Sequence, residues 1–560
     1  MTKQQKPSES YVPYRWAELT SFDEIETLMA LDRLPSYGFT GATLWSSFMK
    51  NELDSYSTYT LPIAYRRFPE FNAVRDQDRI LEGALFLDEF IRRAHHRGLT
   101  VMHWYNLCSF TGGPPTHVDR RMEAALGAIK KVHPDWLNEH DEPDFSRDVW
   151  YDFMAAEADD FLTRFPAIDG LFCWNCEASH FTPSHLHHQT VSSRDIVRRA
   201  TKAVYDVCRR HGKLMTHDIH TGGGNRELTG NIIAAAAECP ELILGADCTY
   251  SDWQFFLPTT PWLDKMSRHN RIYLGFDSAG EFFGKGRVLG LWPKWIVKHF
   301  MNAKAFGLMA VTTRTEVFSR GLSAFASPFL DLNLRTVMTL AHDGEIDLDR
   351  ILEAWWQAHF DGPWSPELKE LILRFEPLVG QILHANGAGF TNSSIAFPEN
   401  ILLPGGKTIF FDQFAKAGTR FDSTTYPMAP EEGRSVKPFA TLRQEKLDGM
   451  AQCDDAVVRL GGLGLPDRTH HLLETRFLQA KDVALAHLYQ LEAGHALFQQ
   501  IGDYNDGTLA NPKATLTETL KLIRAHADTM EGRWGSAFYD GFTGRMRQFA
   551  DSVPEKHLAQ

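Results

Sequence analysis

GLFCWNCEAS, residues 170–179, admits two incompatible readings. As sulfur chemistry, Cys173 and Cys176 form a C-x-x-C pair that would bind zinc or cycle between thiol and disulfide. As oxygen chemistry, LFCWN is a buried strand that delivers one carboxylate, Glu177, to its end. The choice decides whether the chain is organised around a thiol site or around the strand ends of an α/β fold.

Strand geometry separates the two. Side chains of an extended segment alternate between faces, so Cys173 and Cys176, three apart, point in opposite directions. A redox pair would sit at a helix start, and a structural zinc site would need a second ligand pair at comparable spacing. The remaining cysteines, at 108, 208, 239, 248 and 453, supply none. Cys173 and Cys176 therefore read as small buried apolar residues. Cys173, Asn175 and Glu177 share one parity, so a strand that turns Cys173 inward turns Glu177 toward its open end.

The same kind of run recurs. VPYRWAEL (12–19), TGATLWSS (40–47), GLTVMHWYN (98–106), IDGLFCWN (168–175), GKLMTHDIH (212–220), ELILGADCTY (241–250), RIYLGFDSAG (271–280) and FGLMAVTTRT (306–315) are short apolar stretches separated by helical patterns. Several follow a basic or polar turn and a glycine, as in RAHHRGLTV and CRRHGKLM, the mark of a helix ending in a left-handed residue before the next strand. Eight βα units within about 310 residues predict a (β/α)8 TIM barrel, with long loops at 47–84 and 107–145 on its active-site face. After Arg320 the apolar spacing becomes helical, at 328–360, 437–461, 468–499 and 514–531. The expected organisation is a barrel over 1–325 and a helical C-terminal domain over 326–560. Residues 386–436, rich in Gly, Pro, Ser and Thr, form a loop-rich excursion within it.

Of 560 residues, 43% are hydrophobic and 23% charged, an ordinary globular composition. A formal net charge of −13 argues against a nucleic-acid partner, which is held by basic surfaces. Neither a secretory leader nor an apolar run of membrane-spanning length is evident. Seven cysteines without framework spacing fit a reducing, cytoplasmic setting. Neither a nucleic acid nor a membrane is the expected partner, and the C-terminal helices offer a surface for a homodimer.

Polar residues at the C-terminal ends of barrel strands face the substrate. They are Trp45, His103, Trp104, Asn106, Asn175, Glu177, His217, Asp218, His220, Asp247, Asp252, Asp277, Glu281 and Arg314. Carboxylates suit acid and base work on glycosidic bonds, and indole faces suit stacking on sugar rings. The histidines open a metal alternative, a sugar isomerase or deacetylase built on His103, His217, His220 and Asp247. Against it, His217 and His220 fall on opposite faces of one strand. No metal and no cofactor is expected.

Four segments, GLFCWNCEASHFTP (170–183), SDWQFFLPTTP (251–261), AGEFFGKGRVLGLWPKW (279–295) and NLRTVMTLAHDGEIDLDRILEAWWQAHF (333–360), together resemble the α-glucuronidases of glycoside hydrolase family 67. The resemblance covers about residues 11–380 in order and spacing. It implies an exo-acting, inverting hydrolase in which Glu177 is the general acid while Asp252 and Glu281 position and deprotonate water. Inversion requires about 6.5 to 9.5 Å between the acid and base carboxyl groups. The remaining collected residues would bind substrate, and Asp277, on the strand of Glu281, is a rival base expected deeper in the barrel. That family's N-terminal β-domain is not expected ahead of the first strand run, and Asp247 and His217 stand where the family carries basic residues for the uronate. Glycosidase chemistry is therefore the firmer expectation, with a uronate and a neutral sugar as alternative substrates.

Overall fold

The computed structural model describes residues 10–20, 23–44, 61–74, 77–107, 130–141, 143–174, 188–219, 226–250, 253, 255–316, 324–385, 388–389, 397, 437–501 and 509–559. Strands β1 (Tyr14–Leu19), β2 (Gly41–Leu44), β3 (Thr100–Asn106), β4 (Gly170–Trp174), β5 (Leu214–Asp218), β6 (Ile243–Asp247), β7 (Arg271–Asp277) and β8 (Leu308–Arg314) lie one in each of the eight apolar runs. All pair in parallel with their neighbours, and β8 returns to β1, so the sheet closes into a TIM barrel.

Helices α1 (Glu24–Arg33), α2 (Gln77–His96), α3 (Val149–Arg164), α4 (Ser193–Arg210), α5 (Arg226–Ala236), α6 (Leu263–Ser267) and α7 (Pro293–Lys304) bring the chain back between strands. Their entry is written locally. Asp23 accepts the N–H groups of Ile25 and Glu26 at the start of α1, and Ser192 accepts that of Asp195 at the start of α4. The expected loop at 47–84 is cut short by α2; residues 45–60 and 108–129 lie outside the described residues.

Two apolar layers follow from strand alternation. Inside the barrel, Trp16, Met102, Trp104, Phe172, Trp174, Ile243, Tyr273 and Ala310 form one cluster. Cys173, Val101, Leu171 and Leu244 belong to the larger layer between sheet and helices. Cys173 thus faces outward, near Cys208 of α4, and the inward residues of β4 are Phe172 and Trp174. The parity expected to carry Glu177 inward with Cys173 is reversed in the described part of this strand. All five cysteines among the described residues are buried and unpaired to another cysteine.

After the barrel the chain is helical: α8 (Pro328–Asp343), α9 (Leu348–His359), α10 (Pro366–Leu373), α11 (Phe375–Leu383), α12 (Phe439–Gly461), α13 (Asp467–Ile501), α14 (Pro512–Trp534) and α15 (Phe542–Asp551). The last four pack in sequence, and Phe375 of α11 meets Phe477 of α13 at 4.6 Å between ring centres. Lys446 of α12 buries its ammonium against the carbonyls of Gln381 and His384 at the end of α11. Of the excursion expected at 386–436, only 388, 389 and 397 are among the described residues. No helix among the described residues is long and apolar enough to cross a membrane.

Candidate active site

The inward residues at the C-terminal ends of five strands are charged: Glu18 on β1, Asp218 on β5, Asp247 on β6, Asp277 on β7 and Arg314 on β8. Arg314 stands in register between Glu18 and Asp277, and the pairs Asp247↔Gly275 and Asp218↔Gly245 complete the ring of strand ends. Each of the five is less than a tenth exposed, where ordinary charged residues are rarely found unless paired.

Beyond β7 the chain folds over its own last residue. Asp277 accepts the N–H groups of Ala279 at 2.9 Å and Gly280 at 2.8 Å with one oxygen, and that of Glu281 with the other. Gly280 sits at φ 84°, and a Cβ there would lie 2.5 Å from the Trp292 ring, so the turn needs glycine on both counts. The Trp292 indole N–H closes the arrangement on the Asp277 carbonyl at 3.1 Å.

The turn returns Glu281 to the strand ends, where its carboxylate pairs with the guanidinium of Arg314. Arg314 in turn lies 4.3 Å over the ring of Trp253, whose indole N–H is bound to the Gly275 carbonyl at 3.1 Å. Asp277 therefore does not lie four extended residues deeper than Glu281, as strand length suggested. The strand stops at Asp277, whose carboxylate is occupied in holding Glu281.

The electrostatics follow from burial. Desolvation pushes the Glu18 carboxyl up to about 7 against the pull of Arg314 and the Thr312 hydroxyl, and Asp247 and Asp218 push it the same way. Burial likewise raises Asp277, opposed by Arg314 and the three N–H groups. Burial works against the charge of Arg314, yet Glu281, Asp277, Glu18 and Asp247 together hold it above its ordinary range. Tyr273 donates to Asp218 from two strands away, a reach possible because Gly245 lies between: a Cβ there would stand 1.7 Å from the phenol ring.

His103 and His217 are not brought to the mouth. Both lie on outward positions of their strands. His103 packs 4.9 Å from the Phe161 ring of α3 and its Nδ1 lies 2.6 Å from the Trp104 carbonyl. His217 lies 3.4 Å from the Thr201 hydroxyl of α4. Burial pushes them down to about 4 and about 3, so both are neutral at ordinary pH. They face away from Asp247 across the sheet, and the metal set of His103, His217, His220 and Asp247 is not assembled by the described residues. Nor does any other group of three or more His, Cys, Asp or Glu among them stand where it could hold a metal.

Trp104 does face the interior, with its indole N–H 3.3 Å from the Thr43 hydroxyl and Trp174 edge-on at 5.5 Å. Trp45, Asn175, Glu177, His220 and Asp252 lie outside the described residues, as does the side chain of Asn106. Glu18, Tyr273, Trp174 and Trp253 were missed from sequence. For Glu18 the signal was present: it lies two residues past Trp16 at the end of VPYRWAEL, sharing its face.

No protein-family model and no curated protein matches the sequence. Among solved structures, a GH138 enzyme targeting pectin rhamnogalacturonan II superposes with a TM-score of 0.58 over 93% of this chain and 77% of its own, at 11% identity. The GH20 exo-β-N-acetylglucosaminidase of Vibrio harveyi gives a TM-score of 0.37 at 10% identity, over 64% of this chain and 60% of its own. The first likeness extends over the barrel and the helical region that follows it.

Proposed function

We propose that the chain is a glycoside hydrolase that removes a terminal sugar from an oligosaccharide with inversion. The observation that carries this reading is Glu281, delivered to the mouth of a TIM barrel by a turn capped on Asp277 and ion-paired to Arg314. A carboxylate so fixed by two strand ends is preorganised for a charged task, since it needs no reorganisation when the reaction begins. The GH138 likeness in fold accords with the reading, as does the indole lining of Trp104 and Trp174 inside the mouth.

In the proposed reaction Glu177 gives its proton to the glycosidic oxygen as the bond to the anomeric carbon breaks. A water attacks that carbon from the opposite face and loses its proton to the pair Asp252 and Glu281. Glu281 orients the water and Asp252 completes its activation. In the α-glucuronidase-like form of this reading the departing sugar is an α-linked uronic acid.

The test is NMR of the first product anomer over a panel of α- and β-linked neutral glycosides and uronosides, repeated with Glu281→Gln. An inverted product whose formation Glu281→Gln abolishes is expected. A retained anomer would remove the water-activating role, and an unaffected Glu281→Gln would remove Glu281 from the chemistry.

A further inference from the structure

At the floor of the mouth two buried oxygens lack hydrogen-bond partners: Oε2 of Glu18 and Oγ1 of Thr312. Their residues are 3% and 0% exposed. The Thr312 hydroxyl is near enough to draw down the Glu18 carboxyl, yet no hydrogen bond of normal geometry joins them. Two other polar pairs of this interior are satisfied, Tyr273 with Asp218 and Trp104 with Thr43, while Thr216 Oγ1 on β5 is orphaned as well. An orphaned pair of oxygens is unusual, because a buried polar group without a partner is destabilising, and such groups concentrate where a ligand completes them.

Gly275 lies beside them, and the absence of a side chain there keeps both oxygens uncovered from that strand. A Cβ on this residue would lie 3.2 Å from Thr312 Oγ1 and 3.5 Å from Asp247 Oδ1. At Gly41 and Gly245 the corresponding space is taken by Thr100 with Trp16 and by the Tyr273 ring, all within 2.7 Å. At Gly275 no atom comes nearer than 3.2 Å, and the two nearest are polar oxygens.

We propose that Glu18, Thr312 and Asp247 form a hydroxyl-binding subsite over Gly275, and that it admits an uncharged group of the terminal sugar, making that sugar neutral rather than a uronate. The inference rests on the glycosidase reading and names its substrate class. A hydroxyl donates and accepts at once, so it can donate to Glu18 Oε2 and accept from Thr312 Oγ1, satisfying both orphans. A carboxylate only accepts, and would bring a further negative charge beside Asp247 in a poorly screened place. Arg314, the cation acting on Glu18, is already committed to Glu281.

The full-length protein is titrated at neutral pH with D-glucose, D-galactose and L-rhamnose and with D-glucuronate and D-galacturonate, followed by saturation-transfer NMR. One neutral sugar is expected to bind about tenfold or more tighter than the uronates, and Thr312→Val and Gly275→Ala each to weaken it by about tenfold. Thr312→Val carries the argument if Gly275→Ala does not fold. The substitution exchanges a hydroxyl for a methyl of similar size and keeps the strand's shape, so a threonine that only packs would leave binding unchanged. Tighter binding of a uronate, equal binding by both variants, or no binding of any of the five sugars would each overturn the subsite. Glycoside cleavage that Glu281→Gln abolishes but Thr312→Val leaves unaltered in KM would overturn it while leaving the glycosidase reading standing.

Discussion

The carboxylate of Asp277 receives the backbone N–H of Glu281, four residues further along the chain. The residue at the end of β7 thus places the residue that the fold presents, and the two carboxylates have divided duties.

Removing the first duty tests this division. Asp277→Ala leaves the N–H groups of Ala279, Gly280 and Glu281 buried without acceptors, which costs about 3 kcal/mol or more. Urea unfolding should show a loss of that size together with a fall in kcat. Asp277→Asn, which keeps one carbonyl acceptor, should lie between the two. A stability loss near zero for the alanine variant would mean that the turn holds itself.

Arg314 and Glu281 should behave as a buried pair. Arg314→Met strands the Glu281 charge and should destabilise by about 3 to 5 kcal/mol, whereas Arg314→Met combined with Glu281→Leu should recover most of it. Chemical denaturation of these two variants and of Glu281→Leu alone decides the matter. Additive losses would show that the pair contributes no mutual energy.

Glu18 gives a pH signature of defined sign. Its carboxyl is raised from an ordinary 4.5 to about 7, so the unfolded chain releases a proton that the folded chain still holds. Its contribution is fully present below the lower value and is lost as pH rises through the upper one, a change of about 3 kcal/mol. Arg314, Asp247 and Asp218 are the charged groups that set this balance, with the Thr312 hydroxyl beside them. Glu18→Gln cannot titrate, so the variant should gain melting temperature relative to the parent between about pH 5 and about pH 8. A flat difference across that range would place Glu18 among ordinary exposed carboxylates.

The helical region reaches the same turn. Asp540, at φ 56° beside Tyr539 at φ 46°, takes Lys285 at 3.4 Å and Arg287 at 3.1 Å, and the Gly284 backbone lies against Leu383 and Tyr539. Two successive non-glycine residues in the left-handed region are held there by their surroundings. Asp540→Asn should lower kcat by about tenfold with little change in KM, because it loosens the carrier of Glu281 without touching the sugar. Steady-state kinetics on an activated aryl glycoside measure the split, and a change confined to KM would argue for direct contact with substrate.

Much of this was legible in the sequence for a simple reason: a buried parallel strand must be apolar throughout, and its helix must end in a turn that glycine favours. Eight such runs specify the barrel. Which face of each strand looks inward was not legible. His103 and Trp104 are neighbours, as are His217 and Asp218, and no strand can aim both members of such a pair at one site; the inward ones are Trp104 and Asp218. Trp174, not Cys173, marks the inward face of β4, because a large indole fills a barrel interior that a thiol does not. The place of Asp277 depended on where the strand stops, and three backbone N–H groups folding onto one carboxylate leave no periodic trace.

The brace on the turn has a consequence for how the protein comes into being. Lys285 and Asp540 are separated by 255 residues, so the last barrel strand emerges from the ribosome long before the partner that steadies Glu281. Synthesis passes through an interval in which the barrel can close while its working turn is unsupported, and activity should arrive with the final helices rather than with the barrel.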